Sequence, residues 1–172
     1  MAVLGVDEHH VLGLPDGGLA DLDGEGVAAI GRLLDDVRPD TVLTFGPEGM
    51  TFHPDHIAVH RWVTEAWERR GRSSRLLYAT PTAEKLARFD DLFEEWDVYM
   101  SDERPSGAVP ERLAVHLVLG GADLRRKVAA LRAMPTQTGA LMEAVDEATF
   151  AALVAEEAFL DAATVEPWKT RS

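Results

Sequence analysis

The residues best equipped for chemistry are His53, Pro54, Asp55 and His56, which follow the loop Gly46-Pro47-Glu48-Gly49. Two imidazoles and a carboxylate within one tetrapeptide can ligate a divalent metal, donate to a developing oxyanion, or orient one another. The apolar run from Thr41 to Phe45 precedes the loop and reads as a strand. Pro54 suits the first position of a helix, where its missing N–H would have had no partner. The motif is thus expected where a strand ends and a helix begins. Open α/β sheets bind ligands there, and helix N-termini favour anionic groups. Three residues apart on a first turn, His53 and His56 can share a face. A polar helix cap with incidental histidines is the bland alternative. It suits a lone histidine better than this cluster.

Other candidates carry weaker signals. His60, four residues after His56, lies a turn deeper and reads mainly as a packing residue, although an H-x3-H pair on a helix can also bind zinc. Asp16 in Leu14-Pro15-Asp16-Gly17-Gly18 sits in a turn that follows a candidate strand. It is placed either to hold substrate hydroxyls or simply to make good turn chemistry. His9, His10 and His116 read as structural. Trp62, Trp67, Trp96 and Trp168 read as core or surface anchors, and Asp35-Asp36, Asp90-Asp91 and Glu94-Glu95 as solvated helix faces. There is no phosphate-binding loop, dinucleotide fingerprint or nucleophile elbow.

The elements needed to position these residues alternate between strand and helix. His10–Leu14 is an expected strand, and Asp23 an expected cap for a helix to about Val37. Thr41–Phe45 is the next strand, and the helix from Pro54 runs to about Arg70. A strand at Arg75–Ala79, a helix from Thr82 to Glu95, an extended segment from Trp96 to Met100 and a loop at Pro105–Pro110 follow. Leu113–Leu119 has strand character, Asp123 is placed to cap a helix to about Met134, and a last helix is expected from about Asp146 to Asp161, with a frayed tail after Val165. This pattern predicts a layered α/β domain with a mostly parallel sheet.

The chain has 172 residues, 46% hydrophobic and 27% charged, which fits one globular domain spanning 1–172. A net charge of −13 argues against a nucleic-acid surface. The chain contains no cysteine, so disulfides and thiolate metal sites are excluded and the expected location is cytoplasmic. The first residues are not expected to act as a signal peptide, lacking a basic start and a long apolar core, and no apolar run reaches membrane length.

The run GPEGMTFHPDHIAVHRWVTEAW resembles the PIG-L/LmbE family of zinc-dependent N-deacetylases. VLGVDEHHVLGLPDGGL is similar to the family's middle strand and following turn. LRRKVAALRAMPTQTG resembles a helix that ends A-H-x-[ST]-Q in that family. The resemblance implies a Rossmann-like fold and hydrolysis of an N-acetyl group from an amino sugar or glycoconjugate by a zinc-bound water. It makes His56 a zinc ligand, His53 the oxyanion donor and Asp55 the carboxylate that orients or tunes His53; Gln137, which keeps the family's glutamine, and Asp16, by its turn position, are the expected substrate-binding residues.

Two departures are visible. Met134 stands where the family often has histidine, and the A-H-P-D-D-E block that supplies the general base and two further zinc ligands has no counterpart. The chain therefore reads as an N-terminally incomplete domain with an incomplete zinc site, expected to bind zinc weakly and dissolve poorly. The alternatives are a catalytically inactive or sugar-binding remnant, and a structural zinc protein using His56 and His60.

Overall fold

The computed structural model describes residues 2–165. Its elements are α1 (Asp23–Val37), β1 (Thr41–Phe45), α2 (Pro54–Arg69), β2 (Arg75–Ala79), α3 (Ala83–Glu95), β3 (Val115–Val118), α4 (Gly121–Arg132), α5 (Pro135–Ala144), α6 (Glu147–Val154) and β4 (Glu156–Asp161). One four-stranded sheet has the order β1-β2-β4-β3. β1 runs parallel to β2, with Thr41 opposite Arg75 and Phe45 opposite Ala79; β4 runs antiparallel to β2. The α/β class holds, and the sheet is mixed. The chain divides into two compact units, Leu12–Val115 with the described residues from Ala158 onward, and the described residues to Val11 with His116–Glu157.

The core of the larger unit forms where α1 and α2 pack together and α2 covers the two parallel strands. Val27, Ala58, Trp62 and Ala66 make one buried cluster; Val63, Trp67, Leu76 and Tyr78 make the other. Both clusters draw on the apolar stripe of α2, spaced at three to four residues, so one helix ties its neighbour helix to the sheet. The helices meet closely because position 26 is glycine: a Cβ there would lie 2.1 Å from the Trp62 ring. In an open helix Gly→Ala gains about 1 kcal/mol. Here overpacking wins, and Gly26→Ala is expected to destabilise the fold by about 2 kcal/mol, read as a lower urea midpoint.

In the smaller unit α4 packs against α5 and α6. Phe150 and Leu153 of α6 are its buried residues, Glu157 pairs with Lys127 at 2.5 Å, and His116 on β3 pairs with Glu156 at 2.7 Å.

Several expectations need correction. The segment 10–14 is not a strand: it has no ladder partner among the described residues, and Val11 is 77% exposed. Asp23 is not a cap; Leu22 holds that position, and the Asp23 carboxylate instead accepts from Trp62 Nε1 at 2.7 Å and Arg61 Nη2 at 2.9 Å. Asp123 lies in the first turn of α4 behind Gly120, without a capping bond. Trp96–Met100 is not a strand: α3 closes in a turn at Trp96 and Asp97, whose amides bond back to Leu92 and Glu94, and the chain bends at Met100.

The expected helix from 146 to 161 is two elements: Asp146 caps α6, and the chain then extends into β4 because β2 offers it a ladder. Helix α5 was not foreseen; it begins at Pro135 and shows little apolar periodicity. Trp62 and Trp67 are core residues and Trp96 is half-buried. Trp168 and the tail after Val165 lie outside the described residues.

Candidate active site

The loop between β1 and α2 places the histidines. Gly46 N–H still donates to Ala79 O at 3.2 Å, extending the parallel ladder by one step, and the chain then turns tightly, with positive φ at Gly49, Met50 and Phe52. Left-handed backbone at non-glycine residues is costly and concentrates at functional loops. Gly49 has a specific reason to be glycine: a Cβ there would sit 2.8 Å from His56 Cβ and 3.0 Å from Ile57 N. The close approach lets its carbonyl reach the His56 ring.

His53 is the N-cap of α2 and His56 lies in its first turn, with Pro54 at the first helical position as expected. Their rings stack with centroids 4.7 Å apart, and the His56 ring stacks on Phe45 at 4.1 Å. The two rings are held in opposite tautomers. His53 Nδ1 accepts from Asp55 N at 3.1 Å, so a neutral His53 carries its proton on Nε2. His56 Nδ1 faces Gly49 O at 2.9 Å and must donate to it, which leaves Nε2 as a lone pair. One ring thus offers a donor and the other a metal-ligating nitrogen whose opposite edge is fixed by a carbonyl.

Asp55 is buried, and both carboxylate oxygens are used: Oδ2 accepts from Gly17 N at 2.7 Å and Oδ1 from Leu19 N at 3.0 Å. Its link to His53 is made by its backbone amide. The carboxylate instead ties the first turn of α2 to the turn that carries Asp16, whose own side chain is exposed. The Asp16 turn and the two histidines therefore belong to one locality. Gln137 is exposed in the first turn of α5, in the other compact unit.

His60 Nδ1 donates to Phe45 O at 2.9 Å, and its ring stands edge-on to Tyr78 with centroids 4.7 Å apart. Desolvation lowers its pKa, opposed by that carbonyl and reinforced by Arg61. The unfolded chain then takes up the proton first as pH falls. His60's contribution to stability is complete above its unfolded value near 6.5 and declines as pH falls through and below it. A His60→Gln variant should flatten the loss of urea midpoint between about pH 7 and 5.5. His9 and His10 are exposed, and His10 Nε2 lies 2.8 Å from Glu8 Oε1.

Among the described residues no three His, Asp or Glu side chains come close enough together to hold a metal. His56 Nε2 is suited to be one ligand, but the described residues do not make a complete zinc site.

Glu48 was overlooked in the sequence. It is half-buried, lines a cavity of about 610 Å³, and its pKa is raised by desolvation, opposed by its own backbone amide. Nothing local marks it, since G-P-E-G reads as an ordinary loop; the cavity it lines also includes Thr80, Leu160 and Val165, remote in sequence.

Residues 1–67, which contain the Asp16 turn and the histidine cluster, match the family described as PIG-L, GlcNAc-PI de-N-acetylase. A 1D-myo-inositol 2-acetamido-2-deoxy-alpha-D-glucopyranoside deacetylase of Mycobacterium sp. (strain KMS) is 34% identical over 158 residues, covering 80% of this chain and 51% of the relative. The protein of the same name from Mycolicibacterium gilvum is 31% identical over 159 residues, covering 80% and 56%, and that from Rhodococcus opacus is 36% identical over 125 residues, covering 64% and 42%. The chain thus spans about half the length of the curated relatives it matches. The H-P-D-H cluster and the turn that Asp55 anchors lie within the match over residues 1–67, and that match together with the curated relatives supports assignment to the PIG-L/LmbE family.

Proposed function

We propose that this protein, one PIG-L/LmbE-like domain over residues 1–172, takes part in zinc-dependent hydrolysis of an N-acetyl group from an amino sugar conjugate. The observation that carries the reading is the pair of opposed tautomers at His53 and His56. Amide hydrolysis needs a donor where negative charge develops on the carbonyl oxygen, and His53 Nε2–H is free to be that donor. His56 Nε2 is the nitrogen that would ligate zinc. A bound zinc ion lowers the pKa of its water to about 7 and polarises a carbonyl. Asp55 fixes the Asp16 turn, so the Asp16 carboxylate is held where it can accept from sugar hydroxyls. The substrate-binding role of Gln137 rests on its match to the family's glutamine alone.

The curated relatives are named for 1D-myo-inositol 2-acetamido-2-deoxy-alpha-D-glucopyranoside, and the same conjugate is the substrate to test. Acetate release that requires added zinc and stops with a chelator supports the reading. Conjugate binding without acetate release would instead make the chain a sugar-binding member of the family. Among the described residues no helix is long and apolar enough to cross a membrane.

A further inference from the structure

We propose that the cavity beside the histidines receives the hydroxyl-bearing part of the substrate that lies away from the amide, and that the Glu48 carboxylate accepts hydrogen bonds from those hydroxyls. This deepens, and rests on, the N-deacetylase reading above. The cavity opens at the carboxyl ends of the two parallel strands: Pro47 and Glu48 follow β1, and Thr80 follows β2. That is the ligand side of an open α/β sheet. Its volume, about 610 Å³, is that of a small-molecule site.

The cavity and the histidines share one loop. Glu48 faces the cavity while the next residue, Gly49, holds His56 through its carbonyl. None of His53, Asp55 and His56 lines the cavity. A substrate with its amide at the histidines would therefore put another part of itself against Glu48.

The chemistry of the lining selects that part. Glu48 has no ion-pair partner among the described residues, and burial removes part of its contact with water. A half-buried acceptor in a ligand-sized cavity is satisfied when a ligand supplies donors. An anionic ligand would meet the carboxylate's repulsion. The guanidinium of Arg104 is already committed, stacking on Tyr99 and donating to Ser101 O and Glu103 O. Arg112, also in the lining, can donate to a hydroxyl oxygen. Phe52, Leu160 and Val165 supply apolar wall for the C–H faces of a ring. With Glu103 and Ser106 also in the lining, acceptors and donors beside apolar wall fit a neutral polyol.

The test compares the wild type with Glu48→Ala and Glu48→Gln on two substrates, the inositol conjugate and N-acetylglucosamine, which lacks the second ring. Glu48→Ala is expected to raise KM for the conjugate by about tenfold, with kcat within about twofold and kcat/KM for N-acetylglucosamine unchanged. Glu48→Gln, which keeps one acceptor, is expected to fall between. Its urea midpoint at neutral pH should be no lower than that of the wild type, because it removes a charge that burial disfavours. Unchanged KM for the conjugate in both variants, with acetate still released, would overturn the proposal and leave N-deacetylation standing.

Absence of acetate from the wild type on either substrate would instead sink the N-deacetylase reading. Saturation-transfer NMR with the conjugate then decides the cavity separately. Binding by the wild type that Glu48→Ala abolishes upholds the polyol site, and binding that is absent or indifferent to the substitution overturns it.

Discussion

Replacing His53 with alanine is expected to lower kcat for acetate release by about 10²–10³-fold while KM changes little, because in the proposed reaction its Nε2–H would donate to charge that exists only in the transition state. Alanine also removes the Nδ1 acceptor that caps α2, a loss of about 1 kcal/mol in stability. Asparagine separates the two effects. Its side-chain oxygen can accept from Asp55 N, so His53→Asn should keep the wild-type urea midpoint and still lose catalysis. Retention of wild-type kcat in His53→Asn would show that His53 is a cap and nothing more. Loss of kcat in both variants, with loss of stability only in alanine, assigns both functions to one ring through its two nitrogens.

The largest stability effect is expected at Asp55. Asp55→Ala deletes the acceptor for Gly17 N and Leu19 N and a negative charge in the first turn of α2. Bonds to a charged group are worth about 1.5–3 kcal/mol each, and water can reach part of the freed turn, so a loss of about 3 kcal/mol is expected. Asp55→Asn keeps one acceptor but turns an amide N–H₂ toward a backbone donor; about half the loss should remain. Urea titrations of the three proteins measure this directly. The same variants should raise KM, since the turn carrying Asp16 is no longer fastened to α2. An Asp55→Ala protein with wild-type stability would mean that the two bonds are not formed in solution.

The site was partly legible in the sequence because its framework is local. Pro54 fixes the start of α2, the apolar run before Gly46 forms β1, and four consecutive positions carry the H-P-D-H chemistry. Long-range pairing defeated local reading elsewhere. Residues 156–161 carry a composition that suits a helix and become β4 because β2 pairs with them. Residues 10–14 have strand composition and remain unpaired among the described residues. β-structure is a property of pairs of segments, and one segment does not reveal whether its partner exists.

By itself the sequence determined the α/β class, the placing of two histidines and a carboxylate at a helix start, and the family resemblance that those residues carry. Tertiary structure decided what each polar atom does. Gly49 O and Asp55 N set the two histidine tautomers, the Asp16 turn claims the Asp55 carboxylate, and Thr80, Leu160 and Val165 line one cavity with Glu48. The physical reason is that hydrogen-bond roles and desolvation depend on neighbours brought together by folding: the partners of Asp55 lie 36 and 38 residues away in the chain.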